Sequence, residues 1–237
     1  MDYVLSPLGD QAILIQLGED INIATHQKIQ IITSYLDDRP FEWMIEFIPA
    51  FTTITIFYDP IKITPLNQGS HLPYYFVYEQ LTNLLSSLTT GKTIESKTIT
   101  IPVCYGGELG PDIKTVAQLN DLTIEEVIDI HTSGDYLVFM IGFAPGFPYI
   151  GGMSKKIATP RRKSPRLKIP ERSVGIAGEQ TGVYPIETPG GWQIIGRTPL
   201  QLFRPLEESP SLLKAGDKIK FKSISYKEYL EWENDNG

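Results

Sequence analysis

The sequence predicts an α+β protein in which a small N-terminal α/β sandwich domain is followed by a β-barrel domain. Strand-like and helix-like apolar patterns alternate up to about residue 95, whereas the rest of the chain holds many short strand patterns separated by Gly and Pro. Short strands at that spacing are typical of a barrel or a sandwich. We therefore expect an N-terminal domain over residues 1–95, a barrel domain over residues 96–224, and an acidic C-terminal tail over residues 225–237 that forms a short helix.

The N-terminal pattern consists of three strands and two helices. Ile29, Ile32 and Leu36 recur at helical spacing and predict the first helix. Pro49 predicts a break between the second and third strands, because proline has no amide proton to give to a sheet. The expected strands are residues 12–17, 46–51 and 53–58, and the expected helices are residues 21–36 and 73–88.

The barrel region contains two helix patterns among its strands. Pro111 suits the first position of a short helix. Thr123 and Glu126 fit a capping box at the start of the next helix, and Gly134 is placed to end it in a left-handed turn. The expected strands are residues 98–105, 136–143, 173–177, 182–186, 192–196, 200–203 and 218–221.

Composition and charge exclude several classes of function. Cys104 is the only cysteine, so an intrachain disulfide is impossible, and with no signal peptide visible we expect a reducing, cytoplasmic location. No apolar run is long enough to span a membrane, and the net charge of −7 argues against general nucleic-acid binding. The three histidines lack the spacing of metal ligands, so we predict no metal site. We expect His26 and His71 at a helix surface or a helix start and assign them no role.

The basic residues are concentrated in glycine-rich loops. Residues 153–204 contain ten Lys and Arg against three Asp and Glu, a local charge of +7. Half of the 20 glycines lie between Gly142 and Gly196, where they permit positive φ and close approach of a ligand to the backbone. Such a patch on an acidic body indicates an anion site, a docking face or a solvated basic surface. The planar guanidiniums of Arg162 and Arg166 are candidates for binding a carboxylate or a phosphate.

Three titratable side chains are candidates for catalysis. His131 falls in the last turn of the capped helix and is a candidate acid–base group or anion donor, with capping of the helix end as the alternative. Glu179 is the only acid over residues 173–183, so it is either a base or a solvated residue of a hairpin turn. Arg197 lies in an apolar stretch, where we expect it to be paired or bound to a ligand because unpaired burial of a charge is costly.

Aromatic and polar residues of the same loops are candidates for substrate contacts. The aromatic side chains either wall an apolar pocket or close one end of a barrel. The polar segment 178–182 offers backbone amides and side chains to a carbonyl or an amide. The predicted substrate or anion contacts are Gly146, Phe147, Gln180, Thr181, Tyr184 and Trp192, together with Arg162 and Arg166.

The sequence does not contain a complete hydrolytic site. A serine nucleophile elbow, a Cys–His pair, closely spaced twin carboxylates and a phosphate loop ending in Gly-Lys-Ser/Thr are all missing from it. A chain that has a binding surface but no nucleophile is expected to share its active site with another protein.

The glycine-rich loops resemble the KipI / allophanate hydrolase subunit 1 family, whose members are also described as B subunits of 5-oxoprolinase. The resemblance covers nearly the whole chain, and His131 falls where the family has a histidine. The sequence departs from the family's pattern at Glu171-Arg172, Thr188 and Arg204. The matching motifs are residues 141–152 (IGFAPGFPYIGG), 160–162 (PRR), 165–166 (PR), 173–178 (SVGIAG), 180–185 (QTGVYP), 189–192 (PGGW) and 196–199 (GRTP).

The resemblance implies a cyclophilin-like β-barrel, related to part of the carboxyltransferase region of urea carboxylase, after the N-terminal α/β domain. It also implies that the chain is the B subunit of an ATP-dependent 5-oxoprolinase. Together with A and C subunits, this enzyme converts 5-oxo-L-proline, ATP and water to L-glutamate, ADP and phosphate. ATP, with Mg²⁺, is then a cosubstrate, and the chain is inactive alone. The alternatives are a KipI-like inhibitor of a sensor histidine kinase and a carboxyltransferase-like component of urea or allophanate metabolism.

Overall fold

The computed structural model of the chain describes residues 2–66, 72–88 and 96–236. The chain divides into two compact units, Met1–Glu95 and Ser96–Gly237, and each has its own hydrophobic core. His71 lies outside the described residues. None of the helices in the described ranges combines the length and the apolar character that a membrane span requires.

The N-terminal unit is a four-stranded antiparallel sheet with three helices. The strand order is β1-β2-β4-β3, so β4 lies between β2 and β3. A helix connects β2 to β3 along the chain. Ile54, Ile56 and Tyr58 are buried while their neighbours in the same strand are only partly buried, which is the period of two expected when one face of a strand meets a core. The elements are β1 Val4–Pro7, β2 Ala12–Gln16, α1 Ile23–Asp38, β3 Met44–Pro49, β4 Thr53–Tyr58, α2 Pro60–Leu66 and α3 Pro73–Ser87.

His26 is buried in the core of this unit, so its predicted place on a helix surface is wrong. It lies three residues before Ile29 on α1 and therefore shares the helix face that packs on the sheet. Only 1% of the residue is exposed, and this burial lowers the pKa of the imidazole to about 4.

The C-terminal unit is a closed barrel of seven strands in the order β10-β7-β6-β13-β5-β12-β9. Neighbouring strands are antiparallel except β13 and β5, which are parallel. Two further strands, β8 and β11, form a separate antiparallel ribbon. The elements are β5 Thr98–Tyr105, α4 Ile113–Leu119, α5 Ile124–Ser133, β6 Tyr136–Ile141, β7 Pro148–Gly151, β8 Arg166–Ile169, β9 Ser173–Ala177, β10 Gln180–Val183, β11 Thr188–Gly190, β12 Gln193–Arg197, β13 Lys218–Ser223 and α6 Tyr226–Asn236.

The start of α5 and its end at Gly134 match the prediction, whereas the conformation of Gly134 does not. The hydroxyl of Thr123 accepts from the backbone amide of Glu126, whose carboxylate accepts from the amide of Thr123, so the predicted capping box is present. Gly134 has φ −67° and makes no left-handed turn. A Cβ at this position would lie 2.6 Å from the ring of Tyr136, so the glycine allows that ring to pack closely against the helix end.

Residues 200–203 do not form the predicted strand. The segment makes only an isolated bridge between Phe203 and Ser211, although Leu202 is buried as a strand residue would be. Pro199 and Pro205 flank the segment, and neither can donate a backbone hydrogen bond to a neighbouring strand. The short helix predicted after Pro111 is present but begins at Ile113, two residues after the proline.

Candidate functional site

The loop from Gly142 to Phe147 connects β6 to β7 in a strained conformation. Phe143 has φ +70° and Gly146 has φ +76°, and backbone hydrogen bonds between residues of the loop hold this shape. A Cβ on Gly146 would approach the Cβ of Phe203 to 3.1 Å, so this position needs glycine both for its φ and for its space. The loop leaves the side chain of Phe143 65% exposed.

Phe147 is the centre of an aromatic cluster. Its ring lies edge-on to Tyr149, Tyr184 and Trp192, with centroid distances of 5.2 Å, 5.3 Å and 5.6 Å. Phe147 and Tyr184 are 1% exposed and Trp192 is 5% exposed, so three of the predicted contact residues form a packed cluster. Burial raises the pKa of Tyr184 to about 12, so the phenol is neutral at physiological pH.

His131 projects from α5 into the barrel and is completely buried. Its ring packs on Phe221, with centroids 4.4 Å apart, and the hydroxyl of Tyr136 donates to its backbone carbonyl at 2.7 Å. Burial lowers the pKa of His131 to about 3, so the ring is neutral at physiological pH. With none of its surface exposed, the imidazole contacts no ligand in this conformation, and its catalytic role stays a prediction.

The hydrogen bonds around His131 assign its tautomer. The hydroxyl of Thr181 donates to the carbonyl of Gly175 at 3.0 Å, so its oxygen accepts from Nε2 of His131 at 3.0 Å. Nδ1 then has no proton and accepts from the hydroxyl of Tyr105 at 2.8 Å. This directed chain of three hydrogen bonds links β5, α5, β10 and β9. The hydroxyl of Thr181 donates its proton to a carbonyl and not to His131. The Thr–His pair is therefore not arranged as a nucleophile and its general base.

A buried carboxylate, Asp112, lies at the centre of the basic patch. Both of its oxygens accept from Arg166 at 2.8 Å, and one accepts from Arg162 at 3.1 Å. The backbone amide of Ile194 donates to the same carboxylate at 2.7 Å. The side chain of Asp112 is 6% exposed, and its hydrogen bond raises the pKa of Arg166 further. We call the group of Asp112, Arg162 and Arg166 the Asp112 centre; it brings together both predicted anion-binding arginines.

Glu179 and Arg197 lie outside these groups. Glu179 is in the turn between β9 and β10, where its side chain is 60% exposed and 3.1 Å from Lys155. This is the arrangement that the hairpin alternative described, and Gln180 follows it as the first, partly buried residue of β10. Arg197 ends β12 and donates from Nε to the backbone carbonyl of Glu171 at 2.9 Å, so it is paired within the protein.

Sequence reasoning missed Asp112 and Tyr105. An aspartate that follows Gly110-Pro111 before a helix is normally interpreted as a helix cap, and no local signal indicates partners fifty residues further on. Tyr105 ends a strand pattern and could not be paired with His131 before the barrel was known. Among the described residues, no cluster of three or more His, Cys, Asp or Glu side chains could hold a metal ion.

The chain belongs to the class of proteins that contain a carboxyltransferase C and D domain. A sequence profile of the carboxyltransferase domain, subdomain C and D, matches residues 3–213. The chain is 51% identical to the B subunit of 5-oxoprolinase from Bacillus subtilis (strain 168) over 235 residues, which are 99% of this chain and 98% of that protein. It is 38% identical to the B subunit of 5-oxoprolinase from Escherichia coli O157:H7 over 90% of this chain and 93% of that protein. The chain belongs to the family of 5-oxoprolinase B subunits.

Solved structures agree with this assignment. The crystal structure of TTHA0988 matches with a TM-score of 0.78 and 28% identity over 91% of this chain, which corresponds to 40% of the length of TTHA0988. The conserved protein PH0987 of Pyrococcus horikoshii matches with a TM-score of 0.55 and 42% identity over 95% of this chain and 100% of that protein. The predicted family, the predicted fold class and the predicted function as the B subunit of a 5-oxoprolinase are thereby confirmed.

Proposed function

We propose that the chain acts with an A-like and a C-like subunit to open 5-oxo-L-proline to L-glutamate, with hydrolysis of ATP to ADP and phosphate. The observation that carries the proposal is the 51% identity to a 5-oxoprolinase B subunit over 99% of this chain. The name of that relative implies a multi-subunit enzyme, and the identity of the other subunits is part of the proposal. ATP is the cosubstrate, which we expect to arrive as its Mg²⁺ complex in the cytoplasm.

The chemistry requires positive charge more than it requires a nucleophile on this chain. A lactam is poorly reactive, and transfer of a phosphoryl group to its carbonyl oxygen would create a leaving group that permits ring opening. Negative charge develops on the phosphoryl group and is stabilised by preorganised donors and cations. The Asp112 centre supports such a role, because two guanidiniums share one carboxylate and a charge of +1 remains.

The predicted site residues have different roles in this proposal. Arg162 and Arg166 supply the positive potential of the Asp112 centre, and the buried Phe147, Tyr184 and Trp192 support the loops beside it. Arg161 lies close enough to lower the pKa of Tyr184, which associates the basic segment, residues 160–166, with the aromatic cluster. His131 and Thr181 fix β10 beneath the exposed Glu179 turn. Gly146, Gln180, Glu179 and Arg197 remain candidates for direct contact with substrate.

Reconstitution tests the proposed function. The purified chain is mixed with the candidate A-like and C-like subunits, and phosphate and glutamate are measured with and without 5-oxoproline. We expect phosphate release only in the presence of 5-oxoproline, with one glutamate formed for each phosphate, and no activity from the chain alone. Phosphate release that is independent of 5-oxoproline, or an active mixture that lacks this chain, would contradict the proposal.

A further inference from the structure

Asp112 occupies the N-cap position of α4 but makes no side-chain hydrogen bond to that helix. Aspartate at an N-cap usually accepts from the first amides of its own helix. Here both oxygens are instead directed to Arg162, Arg166 and the amide of Ile194. Because this carboxylate bonds remote segments and not its own helix, it holds those segments in position.

The Asp112 centre joins three separate parts of the barrel unit. Arg166 begins β8 and is paired with Gly190 of β11. Arg162 donates its backbone amide to the carbonyl of Gly191 at 2.7 Å, just before β12. The carboxylate thus holds the basic segment, residues 160–166, against the β11–β12 connection and the start of α4.

Burial separates the cations of the basic segment into two groups. Arg162 and Arg166 are partly buried, and their guanidiniums are engaged with Asp112. Arg161 and Lys163 flank Arg162 and are exposed. Arg161 and Lys163 are thus the solvent-exposed cations on either side of the anchored Arg162. Neither Arg161 nor Lys163 has an acidic partner among the residues that the structure describes.

We infer that Asp112 is a positioning residue for the basic segment, and that the outward-facing Arg161 and Lys163 are the cations that receive an anionic ligand. Arg162 and Arg166 anchor the segment through their bonds to Asp112 and add the +1 potential of the Asp112 centre. The ligand is a carboxylate or a phosphate, because guanidinium and ammonium groups bind both kinds of anion. Only one part of the inference rests on the proposed function, namely which of these two anions is the natural ligand.

Calorimetric titration of the full chain tests the two outward cations. The probes are 5-oxoproline for the carboxylate and inorganic tripolyphosphate for the phosphates of ATP, at one fixed salt concentration. The combined substitution of Arg161→Gln and Lys163→Gln should weaken the binding of one of the two probes by about tenfold or more, since two charge-assisted contacts are lost. Which probe responds distinguishes the two sources of the anion.

A matched control removes two charges elsewhere. Lys156 and Lys214 are both exposed, and Lys156→Gln with Lys214→Gln changes the net charge by the same amount. We expect this control to bind both probes as the unaltered chain does. Equal losses in the two double variants, or no binding of either probe to the unaltered chain, would overturn the inference. Binding without activity of the reconstituted enzyme would contradict the proposed function and leave the anion site standing.

Asp112→Asn separates positioning from simple charge. The substitution keeps the shape of the side chain and raises the local charge from +1 to +2, so a purely electrostatic role predicts tighter binding of an anion. A positioning role predicts weaker binding, because the basic segment loses its anchor. Tighter or unchanged binding would overturn the positioning role. If Asp112→Asn does not fold, Arg166→Lys tests the same point, since it keeps the charge and loses the bidentate contact.

Discussion

His131 gives the stability of the barrel unit a dependence on pH. Its pKa is about 3 in the folded protein against 6.5 in the unfolded chain. The unfolded state therefore binds more protons between these values, so stability is fully present above about pH 6.5 and decreases as the pH falls. From pH 7.5 to 5.0 we expect this residue to reduce the free energy of unfolding by about 2 kcal/mol. Urea unfolding at the two pH values measures it.

His131→Gln is the matched variant for this prediction. A glutamine can still donate to Thr181 from its amide nitrogen, but it does not titrate and does not accept from Tyr105 as the ring does. We expect lower stability at pH 7.5, by about 1–3 kcal/mol for the unsatisfied hydroxyl, and a smaller loss on acidification. An equal pH dependence in both proteins would show that the imidazole is not a buried neutral group. His26 titrates equally in both and does not affect the difference.

The sequence indicates candidate residues for the site but does not indicate their hydrogen-bond partners. His131, Thr181, Arg162 and Arg166 were all predicted from their residue types and their loops. Their partners depend on long-range packing, because Asp112 is 54 residues from Arg166 and His131 is 50 residues from Thr181. The same distance in sequence kept Asp112 from being predicted, although it bonds both of the arginines that the sequence proposed as anion contacts.

The capping box of α5 can be tested independently of the core. Thr123→Ala removes the acceptor of the Glu126 amide and keeps the reciprocal bond from the backbone amide of residue 123 to the Glu126 carboxylate. We expect a loss of about 1 kcal/mol in the free energy of unfolding, with faster amide exchange in the first turn of α5. Thr123→Ser keeps the hydroxyl and should remain close to the unaltered protein. Equal losses in both variants would contradict the capping role.

Elements with a strong local pattern were predicted well, and elements defined by their neighbours were not. The apolar period of α1, α3 and β4 and the capping box of α5 are local features, and the structure has all of them. The ribbon of β8 and β11 was missed because its strands have four and three residues and pair only through the fold. Residues 200–203 have the apolar residues of a strand, but they lie between two prolines and pair only through the isolated bridge of Phe203 with Ser211.

The two compact units of the chain predict that the barrel unit folds alone. The cluster around Ile13 and Ile54 contains only residues before position 89, whereas the barrel, aromatic and C-terminal clusters contain only residues after position 96. Each unit therefore buries its apolar surface within itself, which is the main requirement for independent stability. A fragment of residues 96–237 should unfold in one cooperative transition and should keep the near-ultraviolet circular dichroism of its packed aromatic residues.

Strand β5 explains why the boundary of that fragment matters. It is paired with β12 on one side and with β13 on the other, and β13–β5 is the parallel pair of the closed barrel. A fragment of residues 106–237 lacks this strand, so it exposes two sheet edges and the apolar residues that β5 would cover. We expect it to lose near-ultraviolet circular dichroism and cooperative unfolding. If both fragments behaved alike, either by folding or by failing to fold, the barrel unit would not be an autonomous domain that depends on closure by β5.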